Sequence, residues 1–259
     1  MSIILNVGTV VTERDLDLFR TLAIARVLDA ADLRIVGGFE SLRRTNRRLL
    51  KLVRAGLLKR WFLSATGGGQ RALYGLSPQA ANLIGEPRAR VVRLKRDALI
   101  THSEFLAHQQ SVNAVFLLAR FRPWPAGCSC PTWQSFREPL SPAIPLMPDG
   151  YFEIAQEELI QPMFVEVDLG TERAPVWRRK VELYLKFAIG GEFERLFRHR
   201  RFRVLVILPS ERRLEAVRRT VAKRTQKLFW FATQDQITSQ GLSAPIWVRP
   251  AGTERIPLL

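Results

Sequence analysis

At 259 residues the chain exceeds one typical domain of roughly 100 to 200 residues and holds material for two cores. Its 40 Lys and Arg against 24 Asp and Glu leave a charge of +16, a field that favours polyanions such as nucleic acid or acidic membrane. Residues 1–100 carry 18 basic and 8 acidic side chains, so the front is the more basic part.

Arginine outnumbers lysine, and its planar fork of donors suits phosphates and guanine edges better than a point charge does. Nucleic acid therefore leads over membrane. No uninterrupted apolar run reaches the ~18 residues of a spanning helix, and the opening Met1 to Leu5 lacks the basic flank of a signal peptide. The expected location is cytoplasmic, with no membrane partner. Cys128 and Cys130 are the only cysteines. They lie too close for an ordinary disulfide and are too few for a four-ligand zinc site, so they read as incidental thiols of a reducing compartment.

Thr12 with Glu13, Asp15 and Asp17 predicts a helix start, since a hydroxyl accepts from free amides and acids complement the positive helix end. Leu16, Phe19, Leu22 and Ala23 continue it at helical spacing. A short helix is expected over Arg26 to Leu33, closing before Gly37-Gly38. Ser41 opens a third, Leu42 to Ala55, with Leu42, Leu49, Leu50 and Val53 facing inward. Its other surface carries Arg43, Arg44, Arg47, Arg48, Lys51 and Arg54. These cations repel one another in isolation and become favourable over phosphates, which marks a recognition helix.

Leu57 to Ser64 and Ala72 to Leu76 read as strands joined through Thr66-Gly67-Gly68-Gly69-Gln70. No Gly-Lys-Ser/Thr follows the glycines, which argues against a phosphate loop. Three helices and a hairpin make the winged-helix plan, with Arg71 near the wing tip as a further DNA contact. Ser77-Pro78 starts a helix through Ile84.

Residues 1–86 thus form the expected winged-helix DNA-binding domain, 87–97 a basic connector and 98–259 a second domain. That domain opens on a helix from Ala98 to Arg120 bearing Phe105, Val112, Val115, Phe116 and Leu118. His102 and His108 on it stand six apart, a poor spacing for joint metal ligation. A strand is expected in Trp133 to Phe136, then at Gly150 to Ala155, Met163 to Leu169 and Phe202 to Leu208. Helices are expected over Ala174 to Ile189 and Glu211 to Phe231.

This order is mixed α/β, with acids at strand ends. Pro148-Asp149 precedes one strand, and Glu166-Val167-Asp168 lies in the next, where the period of two puts Glu166 and Asp168 on one face. Carboxylates on adjoining strands are the hard oxygen ligands that Mg²⁺ or Mn²⁺ requires, so Asp149, Glu166 and Asp168 are candidate metal ligands. Lys180 follows on the returning helix as a group that neutralises charge on a phosphate. Tyr184 lies one turn on, and its proximity alone makes a covalent tyrosine mechanism conceivable. The opposing reading has Asp149 capping a turn, the other acids paired with Arg173 or Arg178, and Lys180 solvated.

At these residues the chain resembles the replication-relaxation family of plasmid and mobile-element proteins, which couple a winged helix-turn-helix to a restriction-endonuclease-like α/β domain. The resemblance is carried by the front helices and hairpin, Tyr74-Gly-Leu-Ser-Pro, the helix with His108 and Val112-Asn113, Pro148-Asp149, Phe164-Val-Glu-Val-Asp168 and Lys180 to Tyr184. It implies a PD-(D/E)xK nuclease core in which Asp149 and Glu166 match the two acids. Asp168 stands where the pattern has lysine, and Lys180 is its proposed replacement. It further implies metal-dependent DNA nicking, relaxase-like, in replication or mobilisation. The alternative is a catalytically inactive regulator that keeps the nuclease fold as a platform. DNA is the expected partner; a homodimer and replication, mobilisation or defence-complex proteins are partners that this reading admits.

Overall fold

A computed structural model describes residues 3–4, 10–64, 69–86, 97–100 and 103–259. Thr66 to Gly68 of the expected wing turn, the basic run Arg88 to Arg96 and His102 lie outside the described residues. By contact the chain divides into two units, 1–113 and 114–259.

In the first unit, β1 (Ile3–Ile4) pairs with β2 (Val10–Val11). There follow α1 (Glu13–Ala25), β3 (Leu28–Asp29), α2 (Ala30–Val36), α3 (Leu42–Arg54), the hairpin β4 (Leu58–Ser64) and β5 (Gln70–Leu76), α4 (Pro78–Leu83) and β6 (Leu99–Ile100). The sheet order is β3-β5-β4-β6, with β6 parallel to β4 and the other pairs antiparallel. Leu18, Phe19, Leu22 and Ala25 of α1 and Leu49, Leu52 and Val53 of α3 are buried, and Trp61 and Leu73 of the hairpin are fully so.

Several elements differ from expectation. The second helix begins at Ala30, not Arg26, because Leu28 is extended against Tyr74 and the Asp29 carboxylate accepts the Asp32 N–H at 2.9 Å as a helix cap. Leu42 is exposed, not inward, and Leu52 supplies the buried contact. The helix expected from Ala98 is α5 (Glu104–Phe121), since Leu99–Ile100 is drawn into a pairing with Phe62 and Leu63. The division between the two units falls inside α5. Leu106 packs with Val27, Trp61 and Leu73, and the Asn113 amide donates to the carbonyls of Ala25 and Val27 at 3.0 and 2.6 Å.

The second unit holds β7 (Cys128–Gln134), β8 (Gly150–Gln156), β9 (Leu159–Val167), α6 (Ala174–Ile189), α7 (Glu192–Phe197), β10 (Arg203–Leu208), α8 (Glu211–Ala222), β11 (Phe229–Thr233) and α9 (Gln234–Gln240). Its sheet order is β11-β10-β9-β8-β7. A two-residue connection at Glu157-Glu158 folds β8 back antiparallel onto β9. Helices α6 and α8 return the chain, so β10 and β11 join in parallel, as crossover connections require. Trp177, Val181, Tyr184 and Phe187 of α6 pack with Phe164, Val204 and Val206 in the core. The helix expected to run to Phe231 stops at Ala222: Phe229–Thr233 is buried at every residue and pairs with β10.

The chain is a mixed α/β protein with a largely antiparallel front sheet and a mixed second sheet. Among the described residues no helix is long and apolar enough to cross a membrane. Cys128 and Cys130 are free thiols on β7, and burial pushes the Cys130 thiol up to about 11.

Candidate functional site

The register Gly150↔Val165 continues by one step to place Asp149 beside Glu166. Two bonds fix the step: the Asp149 N–H donates to the Val165 carbonyl at 3.0 Å, and Asp149 Oδ2 accepts the Val167 N–H at 2.7 Å. The two acids of the sequence pattern therefore meet at the ends of adjoining strands.

Glu166 is 1% exposed. Its Oε1 accepts the Tyr184 hydroxyl at 2.7 Å and its Oε2 accepts Lys180 Nζ at 2.8 Å. Lys180 also donates to Glu172 Oε1 at 2.7 Å and lies 5.2 Å from the Trp177 ring centroid. Burial, and then the charge of Asp149, push the Glu166 carboxyl up to about 6 although Lys180 and Tyr184 oppose them. Burial works against the charge of Lys180, yet Glu166 and Glu172 outweigh it and hold its pKa above the ordinary range. Tyr184 is fully buried, and both burial and Glu166 raise its pKa. Its hydroxyl is a positioning donor and is not placed as a nucleophile.

Asp168 stands two residues after Glu166, just past the end of β9, and has a different role. Its Oδ1 accepts the Gly170 N–H at 2.6 Å, and its Oδ2 accepts Trp177 Nε1 at 2.8 Å and Arg213 Nε at 3.1 Å. Arg213 also bonds the Glu172 carbonyl. Burial opposes ionisation of Asp168, but the donors of Trp177 and Arg213 outweigh it and keep the carboxyl below its usual range. With its lone pairs so engaged, Asp168 braces the loop 168–172. Among the described residues no three His, Cys, Asp or Glu side chains converge in a metal-binding group. Glu172, Trp177 and Arg213 belong to this site. Arg213 lies 45 positions from Asp168, and only tertiary contact reveals it.

On the first unit, Arg43, Arg44, Arg47, Lys51 and Arg54 project from the exposed face of α3, and a concavity of about 640 Å³ is bordered by Arg14, Arg44, Arg47 and Lys51. Arg44 pairs with Glu40. Arg48 is turned inward. Its Nε donates to Asp15 Oδ1 at 2.8 Å and its NH2 to the Val10 carbonyl at 2.7 Å, tying α3 to the start of α1. Arg71 is half exposed, 3.4 Å from Asp29.

The sequence model for replication-relaxation proteins matches residues 19–198, well over half of the chain. No curated protein matches. Among solved structures, the restriction endonuclease FokI aligns over 88% of this chain and 43% of its own at 13% identity, with a TM-score of 0.29. This chain thus spans less than half of FokI.

Proposed function

Because the chain belongs to the replication-relaxation family, we propose that it is a DNA-binding protein whose second unit nicks or cleaves phosphodiesters in the replication or mobilisation of a plasmid or mobile element. The front unit would serve as a winged helix that holds the site on DNA through α3. The observation that carries the enzymatic half is the pairing of Asp149 with Glu166, with Lys180 bonded to the latter. It supports the PD-(D/E)xK reading with the lysine supplied from α6.

Two carboxylates on adjoining strand ends fit a Mg²⁺ or Mn²⁺ ion, which is held by one or two such groups and keeps several waters. The raised proton affinity of Glu166 comes first from burial and then from the charge of Asp149, and a cation between the two acids would offset both. Asp149 and Glu166 would hold the ion, since each Glu166 oxygen takes a single donor, whereas Asp168 Oδ2 is already filled by both Trp177 and Arg213 and its Oδ1 is turned to Gly170. When bound, the ion supplies charge neutralisation and a more acidic water. Lys180 keeps a proton on Nζ and presents positive charge beside Glu166, where negative charge on a phosphate would otherwise be repelled. Tyr184 fixes Glu166 Oε1, so that oxygen keeps one orientation.

The test is to incubate supercoiled and single-stranded DNA with the protein and Mg²⁺ or Mn²⁺, with Asp149→Ala and Glu166→Ala alongside. Nicking by the wild type alone is expected. Equal nicking by all three would overturn the site. DNA binding without nicking by any would favour the second reading, a catalytically inactive regulator. That reading draws on Lys180 bridging Glu166 and Glu172 as a structural ion pair.

A further inference from the structure

The second unit has a basic cleft that the proposed site does not use. Its volume is about 760 Å³, and it lies where β9, β10 and β11 begin, whereas Glu166 stands near the end of β9. Gln161 in its wall is five residues before Glu166, about 17 Å along a strand. Arg200, Arg201, Arg203, Lys227 and Arg249 line it around Trp230, and none of the described lining residues is acidic.

Arg203 and Arg249 are held in place. Val248 pairs with Phe231 through bonds of 2.9 and 3.0 Å, which sets Arg249 beside β11. Arg218 donates to the Gly252 carbonyl at 2.5 Å and tethers the same loop. The guanidinium carbons of Arg203 and Arg249 stand 4.4 and 5.6 Å from the Trp230 ring centroid. An aromatic face attracts each cation but does not cancel the repulsion between two that share it. Arg203 donates to the Leu258 carbonyl, a neutral acceptor. Exposed Leu159 and Ile160 form an apolar rim.

From this arrangement we infer that the cleft is a second nucleic-acid contact, taking the phosphate backbone of a DNA strand whose sugars and bases meet the Leu159–Ile160 rim. The inference rests on the DNA-binding reading of the protein. The guanidiniums of Arg203 and Arg249, with no carboxylate among the described lining residues, match phosphodiester oxygens, while Arg200 pairs with Glu194 outside the wall; a strand reaching from here toward Asp149–Glu166 spans only one strand length of the sheet. The same phosphate chemistry is offered by a free nucleotide, which the experiment separates.

The test measures binding of the full chain to a labelled single-stranded oligonucleotide and its duplex over a salt series, alongside Arg201→Ala/Lys227→Ala/Arg249→Ala. All three side chains are exposed, and thermal melting checks that the fold is kept. Arg203→Gln, which is more buried, is read separately. Loss of roughly tenfold in affinity, with the log–log salt slope on single strands shallower by about 2, is expected for three lost phosphate contacts. Wild-type affinity and slope in the triple variant would overturn the inference while leaving DNA binding by α3 intact. Loss of ATP or pyrophosphate binding with oligonucleotide binding unchanged would overturn it in favour of a small-anion site. A wild type that binds no DNA would overturn both readings.

Discussion

Lys180 Nζ stands 2.8 Å from Glu166 Oε2 while also reaching Glu172, so one ammonium serves two acids on different segments. Lys180→Met removes that cation and leaves Glu166, which is 1% exposed, without its partner. A loss of about 3 kcal/mol is expected near neutral pH, as for breaking a buried pair. On the alkaline side the Lys180 contribution is lost only as pH rises from the ordinary 10.5 through the higher folded value, and on the acid side protonation of Glu166 removes one of its two partners. Urea unfolding of both proteins at pH 8 and pH 5 should show a smaller difference at pH 5, where Glu166 holds a proton. An equal difference at both would place the cost elsewhere.

Glu166 gives the opposite dependence to an ordinary salt-bridged acid. Its carboxyl is raised from 4.5 to about 6 by burial and by Asp149, so the folded chain binds that proton more tightly than the unfolded one. Its favourable contribution is present below about 4.5 and lost as pH rises toward 6. Glu166→Gln should therefore gain stability relative to wild type across that window. Divalent cation should act in the reverse sense, raising the melting temperature of the wild type above pH 6 and not that of Asp149→Asn/Glu166→Gln. The same shift in both proteins would remove these two acids from the metal site.

Asp168 should behave as a brace. Asp168→Ala leaves Arg213 and the Trp177 indole without their acceptor, and a cost of roughly 3 to 5 kcal/mol is expected. Divalent-metal affinity per folded molecule should be unchanged, measured by calorimetry at a temperature where the variant stays folded. A tenfold fall in affinity would return Asp168 to the ligand set.

Arg47 and Arg48 are neighbours in sequence with different duties. Arg47→Ala removes an exposed cation and should weaken DNA binding and flatten its salt slope, with little change in melting temperature. Arg48→Met unties Asp15, which is 0% exposed, and should lower stability. Burial opposes the Asp15 charge, but Arg48 and Thr12 outweigh it and hold its pKa down. That contribution is present above the ordinary 3.8 and lost as pH falls through the lower folded value, so the difference between wild type and Arg48→Met should close in acid.

The parts of this fold written in local pattern were legible in sequence. The helix Ala174–Ile189 agrees to the residue because an apolar stripe ends at Gly190-Gly191. Asp149, Glu166 and Lys180 come together because strand period and the return of α6 are local facts. What was hidden depends on partners distant in sequence. Leu28 and Leu99 become strands only beside β5 and β4, and Phe229–Thr233 only beside β10, so helical continuation was the natural local reading. Arg48 and Asp168 looked like members of a basic face and an acidic cluster. Asp15, 33 positions away, and Arg213, 45 away, take them for packing.

Gly150 follows Asp149 directly, and its role is close approach. A Cβ there would lie 2.4 Å from Trp133 Cζ2 and 2.8 Å from Cη2. The indole cannot easily retreat, since it stacks on Phe152 at 5.8 Å and meets the edge of Phe116 at 5.3 Å. Gly150→Ala must therefore displace either that ring or the strand end that carries Asp149. Overpacking of this kind costs about 1 to 3 kcal/mol. If the strand moves, Asp149 shifts away from Glu166, and nicking should fall further than the folded fraction does. Trp133→Phe removes much of the six-membered ring that causes the clash, so the Gly150→Ala/Trp133→Phe pair should recover nicking relative to Gly150→Ala alone. A double variant no more active than Gly150→Ala, at equal folded fraction, would show that Trp133 does not set the position of Asp149.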